Sequence, residues 1–186
     1  MGFITEGQII TAKGYGYTVE ALLAKQSDAF TGGQFVTLYL SPRDYHRIHM
    51  PLSGTLDQAV HIPGTLFPVN RLGTQTIAGL YTRNERVVCT LSTAKLREIV
   101  LALVGSFVVG SVRLAPQFNA RQPNNRGKGA QTALLAQPFP VSHGEELGWF
   151  EFGSTVVMLF ASGQVELTIR PGDRLQALQP MGTWLA

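Results

Sequence analysis

Two stretches of this sequence carry side chains whose types and spacing could do chemistry. The first reads Tyr39-Leu40-Ser41-Pro42-Arg43-Asp44-Tyr45-His46-Arg47-Ile48-His49-Met50-Pro51. Histidine exchanges protons near neutral pH because its unperturbed pKa is about 6.5. His46 and His49 are therefore candidates for general acid and base. Ser41, Pro42 and Asp44 have the form of a helix start, with a cap, a first-turn proline and a capping-box acid. If that helix runs through His49, the two histidines lie three apart and share a face, with Pro51 limiting its length. The same pair could bind a metal or simply sit at a polar surface. A lone His-x-x-His is a weak metal signature with no cysteine or second histidine pair beside it, so no metal is expected.

The second stretch is Gly148-Trp149-Phe150-Glu151-Phe152-Gly153-Ser154-Thr155-Val156. One reading is a glycine turn leading into a hydrophobic strand, with Ser and Thr as its first residues. The other is chemical. Without a Cβ, Gly153 can take strained backbone geometry that exposes its carbonyl to the Ser154 hydroxyl. A histidine base could then drive an N-to-O acyl shift that replaces the peptide bond by an ester. His46 and His49 are the candidates for that base; only His61 and His143 remain besides.

The elements that must position these residues are mostly strands. Gln34 to Leu40 and Arg86 to Leu91 have strand composition. The 97–113 stretch, rich in Val and Ile but broken by glycines, reads as two buried strands or one bulged strand. Thr155 to Phe160 and Gln164 to Arg170 flank Ala161-Ser162-Gly163, a hairpin signal. Pro171-Gly172-Asp173 marks a turn before a last strand around Leu175 to Leu178. One helix is expected over Tyr17 to Lys25, capped by Thr18. The expected fold class is α+β: a predominantly antiparallel β-sheet sandwich with a few short helices, in a single domain.

Composition bounds the rest. With 186 residues, 45% hydrophobic and only 15% charged, the chain is too apolar to be disordered and too lightly charged for a coiled coil. Twenty Gly and ten Pro favour short elements and turns over long helices. The single cysteine, Cys89, excludes an internal disulfide and a cysteine-based zinc cluster. No signal peptide is visible at the N-terminus. The most apolar stretch, 99–112, is shorter than the about 20 residues a spanning helix needs, so it reads as core. Residues 114–144 contain no Asp or Glu but carry Arg121, Arg126, Lys128 and His143 among four prolines. They read as a loop, either a solvated insertion or a basic lip facing anionic lipid headgroups. No nucleic-acid partner is expected, because aromatic residues are not interleaved with the basic ones.

Taken together, several ordered blocks resemble bacterial phosphatidylserine decarboxylase, a pyruvoyl-dependent, self-cleaving proenzyme. They are Ala12-Lys13-Gly14 with Glu20-Ala21-Leu22-Leu23-Ala24, the 39–51 segment, and His61-Ile62-Pro63-Gly64-Thr65-Leu66-Phe67-Pro68-Val69-Asn70. Arg83-Asn84-Glu85-Arg86-Val87-Val88, Val104-Gly105 with Val109-Gly110-Ser111-Val112, and Phe152-Gly153-Ser154-Thr155-Val156 complete the set. The resemblance runs from about residue 8 to 160 and is weakest over 114–144.

The resemblance implies cleavage between Gly153 and Ser154, giving a β chain of residues 1–153 and an α chain of residues 154–186 that stay together. Ser154 would attack the Gly153 carbonyl with His49 as general base. Elimination and hydrolysis would convert Ser154 into the pyruvoyl cofactor. That group would form a Schiff base with phosphatidylserine and release phosphatidylethanolamine after decarboxylation. His46 would contact the substrate carboxylate or deliver a proton. The implied setting is peripheral, on the cytoplasmic face of the cell membrane, against an anionic surface, with a homodimer as a further expectation. The family's self-cleavage Asp lies upstream of the first matched block, as do its amphipathic membrane helices. An N-terminally truncated sequence is accordingly expected, and Asp44 is not expected to replace that Asp. An unprocessed fragment acting only as an anionic-lipid-binding domain is the alternative.

Overall fold

The structure is a computed structural model that describes residues 1–10, 15–93, 98–107, 112–123, 130–151 and 153–185. The expected features at Ala12-Lys13-Gly14, Arg97, Val109-Gly110-Ser111, Arg126, Lys128 and Phe152 lie outside the described residues. In chain order the elements are β1 (Gly2–Thr5), β2 (Gln8–Ile10), β3 (Gly16–Thr18), α1 (Val19–Leu23), β4 (Gln34–Leu40) and β5 (Arg47–His49). They continue with β6 (Gly54–Ile62), α2 (Arg71–Thr76), α3 (Leu80–Arg83), β7 (Arg86–Ser92), β8 (Ile99–Val104) and β9 (Val112–Leu114). After a 3-10 turn at Pro116–Phe118 come β10 (Thr132–Ala133), β11 (Phe139–Val141), β12 (Glu146–Phe150), β13 (Ser154–Phe160), β14 (Val165–Leu167) and β15 (Gly182–Trp184).

Among the described residues the strands form a ten-stranded sheet, a three-stranded sheet in the order β5-β12-β9, and the pair β14-β15. The large sheet runs β10-β6-β7-β8-β13-β4-β1-β2-β3, with β11 also on β6. All its strand pairs are antiparallel. Antiparallel strands with one wet face alternate apolar and polar residues. Here β8 and β13 are buried along their whole length, because both faces of the sheet are covered. Side chains alternate between faces, and their partners divide accordingly. Val87, Cys89, Leu101, Leu103, Val156 and Met158 join a core with Ile48, Leu114, Leu147 and Phe150 of the small sheet. Val88, Val100, Ala102, Val157 and Leu159 join a second core with Val19, Leu22, Leu80 and Tyr81 of the helices. The chain is thus a sandwich on one side and a helix-covered sheet on the other, an α+β domain. Each large aliphatic side chain buried in these layers contributes about 1.5–3 kcal/mol.

Several local expectations change. Thr18 does cap α1, accepting from the Ala21 amide at 3.0 Å, but the helix spans only Val19–Leu23. It ends at Ala24 in left-handed geometry. The 97–113 stretch gives two strands, β8 and β9, and they belong to different sheets. The turn at 161–164 forms, with the Gln164 amide donating to the Ala161 carbonyl, but it does not close a hairpin. Both edges of β13 are already occupied by β4 and β8, so β14 pairs with β15 instead. The turn at Pro171-Gly172-Asp173 is held by the Arg170 amide donating to the Asp173 carboxylate at 2.7 Å. The strand beyond it lies at Gly182–Trp184 rather than around Leu175 to Leu178, where Leu178 takes φ of 63°. Residues 114–144 are not simply a loop: β10 and β11 from this stretch extend the large sheet along β6.

Candidate active site

The segment holding His46 and His49 is not helical. The Asp44 carboxylate accepts from the Ser41 amide at 2.7 Å, and the Asp44 amide donates to the Ser41 carbonyl at 2.9 Å. That closes a single turn, after which the chain extends into β5 and pairs with β12. The cap signature was real, but strand pairing with a distant segment overrides the helix. The Ser41 amide holds the Asp44 carboxyl below the usual carboxylate range. Asp44 thus serves its own turn.

Two connections cross between the sheets at one rim. Residues 41–46 carry the chain from β4 to β5, and Glu151 and Gly153 are the described residues between β12 and β13. Since β4 pairs with β13 and β5 pairs with β12, the crossings run side by side. The Phe150 amide donates to the His46 carbonyl at 3.0 Å, and a Cβ placed on Gly153 would lie 3.3 Å from Pro42 Cγ and Cδ. Through these contacts His46 is tied to the end of β12, and Gly153 and Ser154 lie against Pro42 and Leu40. Closeness to Pro42 favours a small residue at Gly153.

Ser154 opens β13 opposite Leu40 and is fully buried. Its Oγ has no hydrogen-bond partner among the described residues. Thr155 belongs to the helical face, where it meets the Tyr81 hydroxyl. Alternation therefore puts Ser154, like Val156, on the face between the sheets.

Backbone carbonyls orient both imidazoles. His49 Nδ1 lies 2.8 Å from the Gly144 carbonyl, and His46 Nδ1 lies 2.5 Å from the Asp44 carbonyl. A carbonyl only accepts, so each Nδ1 carries the proton and each Nε2 keeps the lone pair in the neutral ring. His46 Nε2 is buried without a partner among the described residues. His49 Nε2 accepts from the Tyr45 hydroxyl at 2.9 Å. Ile48 packs into the inter-sheet core, so its neighbours Arg47 and His49 take the opposite face of the small sheet. Arg47 there meets Glu146 at 2.6 Å. The Glu146 carboxylate raises the Arg47 pKa. His49 and Ser154 are accordingly not hydrogen-bonded, although both border the same pair of sheets.

Residue-by-residue reading of the sequence missed a buried pair, His61 and Glu85. Their side chains meet at 3.1 Å, both almost inaccessible to solvent. Each sat inside a quoted block, His61-Ile62-Pro63-Gly64 and Arg83-Asn84-Glu85-Arg86, but neither spacing pairs them. Only the β6–β7 register does. The rest of the second block is structural. Buried Arg86 donates to the carbonyls of Ala21 and Leu22 at the end of α1, and burial pulls its pKa down to about 10. Asn84 ties the carbonyls of Phe67 and Gly105 together.

The fold is an antiparallel α+β domain with Gly153 and Ser154 at one rim of its large sheet. The chain belongs to the phosphatidylserine decarboxylase family, whose model matches residues 1–183. It is 42% identical over 170 residues to a phosphatidylserine decarboxylase proenzyme of Brevibacillus brevis, covering 89% of this chain and 60% of that protein. A proenzyme of the same name from Bordetella avium is 41% identical over 177 residues, covering 94% of this chain and 60% of its own length. One from Shewanella frigidimarina is 41% identical over 187 residues, covering 96% and 65%. The chain thus spans about 60% of the length of the first two of these curated relatives. No helix among the described residues is long and apolar enough to cross a membrane.

Proposed function

We propose that this chain is the catalytic portion of a phosphatidylserine decarboxylase that cuts itself between Gly153 and Ser154. The observation that carries the reading is the buried, unpartnered Ser154 hydroxyl beside Gly153, in a chain matched by the family over nearly its whole length.

His49 is the proposed base. Gly144 fixes its Nδ1–H, leaving Nε2 to take the Ser154 proton once β5 shifts to bring the ring from the outer face of the small sheet and Nε2 exchanges Tyr45 for Ser154. The Ser154 Oγ–carbon bond then forms at the Gly153 carbonyl, the Gly153–Ser154 C–N bond breaks, and the freed nitrogen takes the proton. The residues present fit a pyruvoyl group made from Ser154, because that position is buried and no hydrogen bond ties its oxygen to any of the described residues. Such a group would supply an electrophilic ketone and an electron sink. His46, whose Nε2 is held ready without a partner, is assigned to the substrate carboxylate or to proton delivery. The α chain, 154–186, stays attached because β13 lies between β4 and β8.

A membrane surface is the proposed setting. Leu72 and Phe107 are 69% and 65% exposed, and they lie on segments joined by the Val69 amide donating to Ser106 Oγ at 3.3 Å. Arg71 adjoins Leu72 in α2, and Arg83 stacks over Phe67, two residues before Val69, at 4.7 Å, so this corner combines apolar and cationic groups suited to anionic lipid. The test is carbon dioxide release from phosphatidylserine vesicles by the purified protein. Release that Ser154→Ala abolishes is the expected result. Vesicle binding without release, by protein that is already cut, would point to a lipid-binding domain instead.

A further inference from the structure

We propose that Glu85, braced by His61, is the acceptor for an ammonium group brought to residue 154. The proposal deepens the decarboxylase reading and rests on it for the identity of the ligand.

Glu85, Gly105 and Ser154 stand in one row. Val104 pairs with Arg86 on one side and with Thr155 on the other. Gly105, the next position, therefore aligns with both Glu85 and Ser154, and its amide donates to the Glu85 carbonyl at 2.9 Å. The row also faces one way. Arg86 reaches α1, on the helical side, whereas Val87 lies in the core between the sheets. Alternation puts Glu85 on the inter-sheet face, where Ser154 also points. Adjacent strands are about 4.8 Å apart, so the two Cα positions are separated by about 10 Å. Gly105 has no side chain to fill that interval.

His61 pairs with Val87 and shares the face. Its Nε2 lies 3.1 Å from Glu85 Oε1, within ion-pair distance but off the line of a good hydrogen bond. Glu85 Oε2 and Ser154 Oγ have no partner among the described residues. A buried carboxylate oxygen without a donor is costly. The pair is not needed to join β6 to β7, which already pair from Thr55 to Ile62 across one irregularity between Leu56 and Gln58. An ionised carboxylate only accepts, so the missing partner is a donor, and a cationic one suits it best. The headgroup of a phospholipid whose amino acid is joined to phosphate through its hydroxyl brings such a donor to residue 154 in its ammonium nitrogen. The ammonium donates to Oε2 and passes it one proton. The N–H bond breaks with its electron pair left on nitrogen, an O–H bond forms, and the carboxylate is neutralised. His61 keeps Oε1 in place.

The test is calorimetric binding of O-phospho-L-serine and of phosphoglycerate, which carries a hydroxyl in place of the amine, to the purified full chain. The unaltered protein should prefer phosphoserine by about tenfold or more, as expected for a charged hydrogen bond. In Glu85→Gln the preference should fall to within about twofold of unity. Glu85→Asp keeps the charge but shortens its reach, and should retain part of the preference. If Glu85→Gln does not fold, as judged by thermal unfolding, the Asp variant decides alone. An unaltered protein without preference, or variants that keep the full preference, would overturn the assignment. Aminooxy labelling, which reports a ketone at residue 154, separates the two readings. Preference without labelling sinks the decarboxylase reading and leaves Glu85 as an ammonium site. Labelling without preference does the reverse.

Discussion

The Tyr45 hydroxyl donates to Nε2 of His49 at 2.9 Å, and the two rings stack with centroids 5.8 Å apart. Tyr45 therefore occupies the nitrogen that would take the Ser154 proton. Because the contact is exposed, it is worth no more than about 0.5–1.5 kcal/mol. Tyr45→Phe should leave the fold intact and speed self-cleavage several-fold, read from the time course of chain cutting after synthesis. Slower cutting would mean that Tyr45 assists His49 rather than competing for it.

His49 and His46 should separate cleanly. Replacing His49 by Ala removes the proposed base and should slow cleavage by about 10²–10⁴-fold, the usual worth of positioned acid–base catalysis. His46→Ala should leave cleavage near the unaltered rate while abolishing decarboxylation of the cut protein. Gel analysis and carbon dioxide release, run on the same samples, check both. Cleavage lost in both variants would undo the division of roles.

Gly153→Ala tests why glycine stands at the proposed junction. The added methyl meets Pro42 Cγ and Cδ at 3.3 Å and the Leu40 carbonyl oxygen at 3.5 Å. The expected cost is about 1–3 kcal/mol of overpacking, and cleavage should slow by no more than about tenfold. Thermal unfolding and the cleavage time course measure the two effects.

Much of this was legible in the sequence. The strands at Gln34 to Leu40 and Arg86 to Leu91 were plain from their β-branched and aromatic content, and burial along the second leaves it an almost unbroken apolar run. Thr18 was readable as a cap because its partner amide is three residues away. What failed was non-local. Ser41 and Asp44 look the same in a helix cap and in a closed turn, and only pairing of β5 with β12 decides between them. The missing hairpin at Ala161-Ser162-Gly163 reflects neighbours of β13 that come from far along the chain. Glu85 and His61 escaped for the same reason, since sheet register, not spacing, joins them. Gly153 and Ser154 were singled out by residue type, while their burial could come only from packing.

Stability should fall on the alkaline side. Burial pushes the Cys89 thiol from 9.0 up to about 12, and it raises Tyr17 and Tyr81 as well. A raised folded-state pKa gives stability that is complete below the unfolded value and lost as pH climbs towards the folded one. For Cys89 that window opens near pH 9, and the loss by pH 10 is about 1.4 kcal/mol. Unfolding midpoints measured from pH 8 to 10 should decline, and Cys89→Ala should flatten the decline whatever its effect at pH 8. An unchanged slope in that variant would remove Cys89 from the account.

The intact mass of the purified protein, taken under denaturing conditions, tests the central claim most directly. Two species are expected, corresponding to residues 1–153 and 154–186, with the smaller carrying a borohydride-reducible ketone in place of an amino terminus. A single species at the mass of the full 186-residue chain, with no reducible carbonyl, would contradict self-cleavage at Gly153–Ser154.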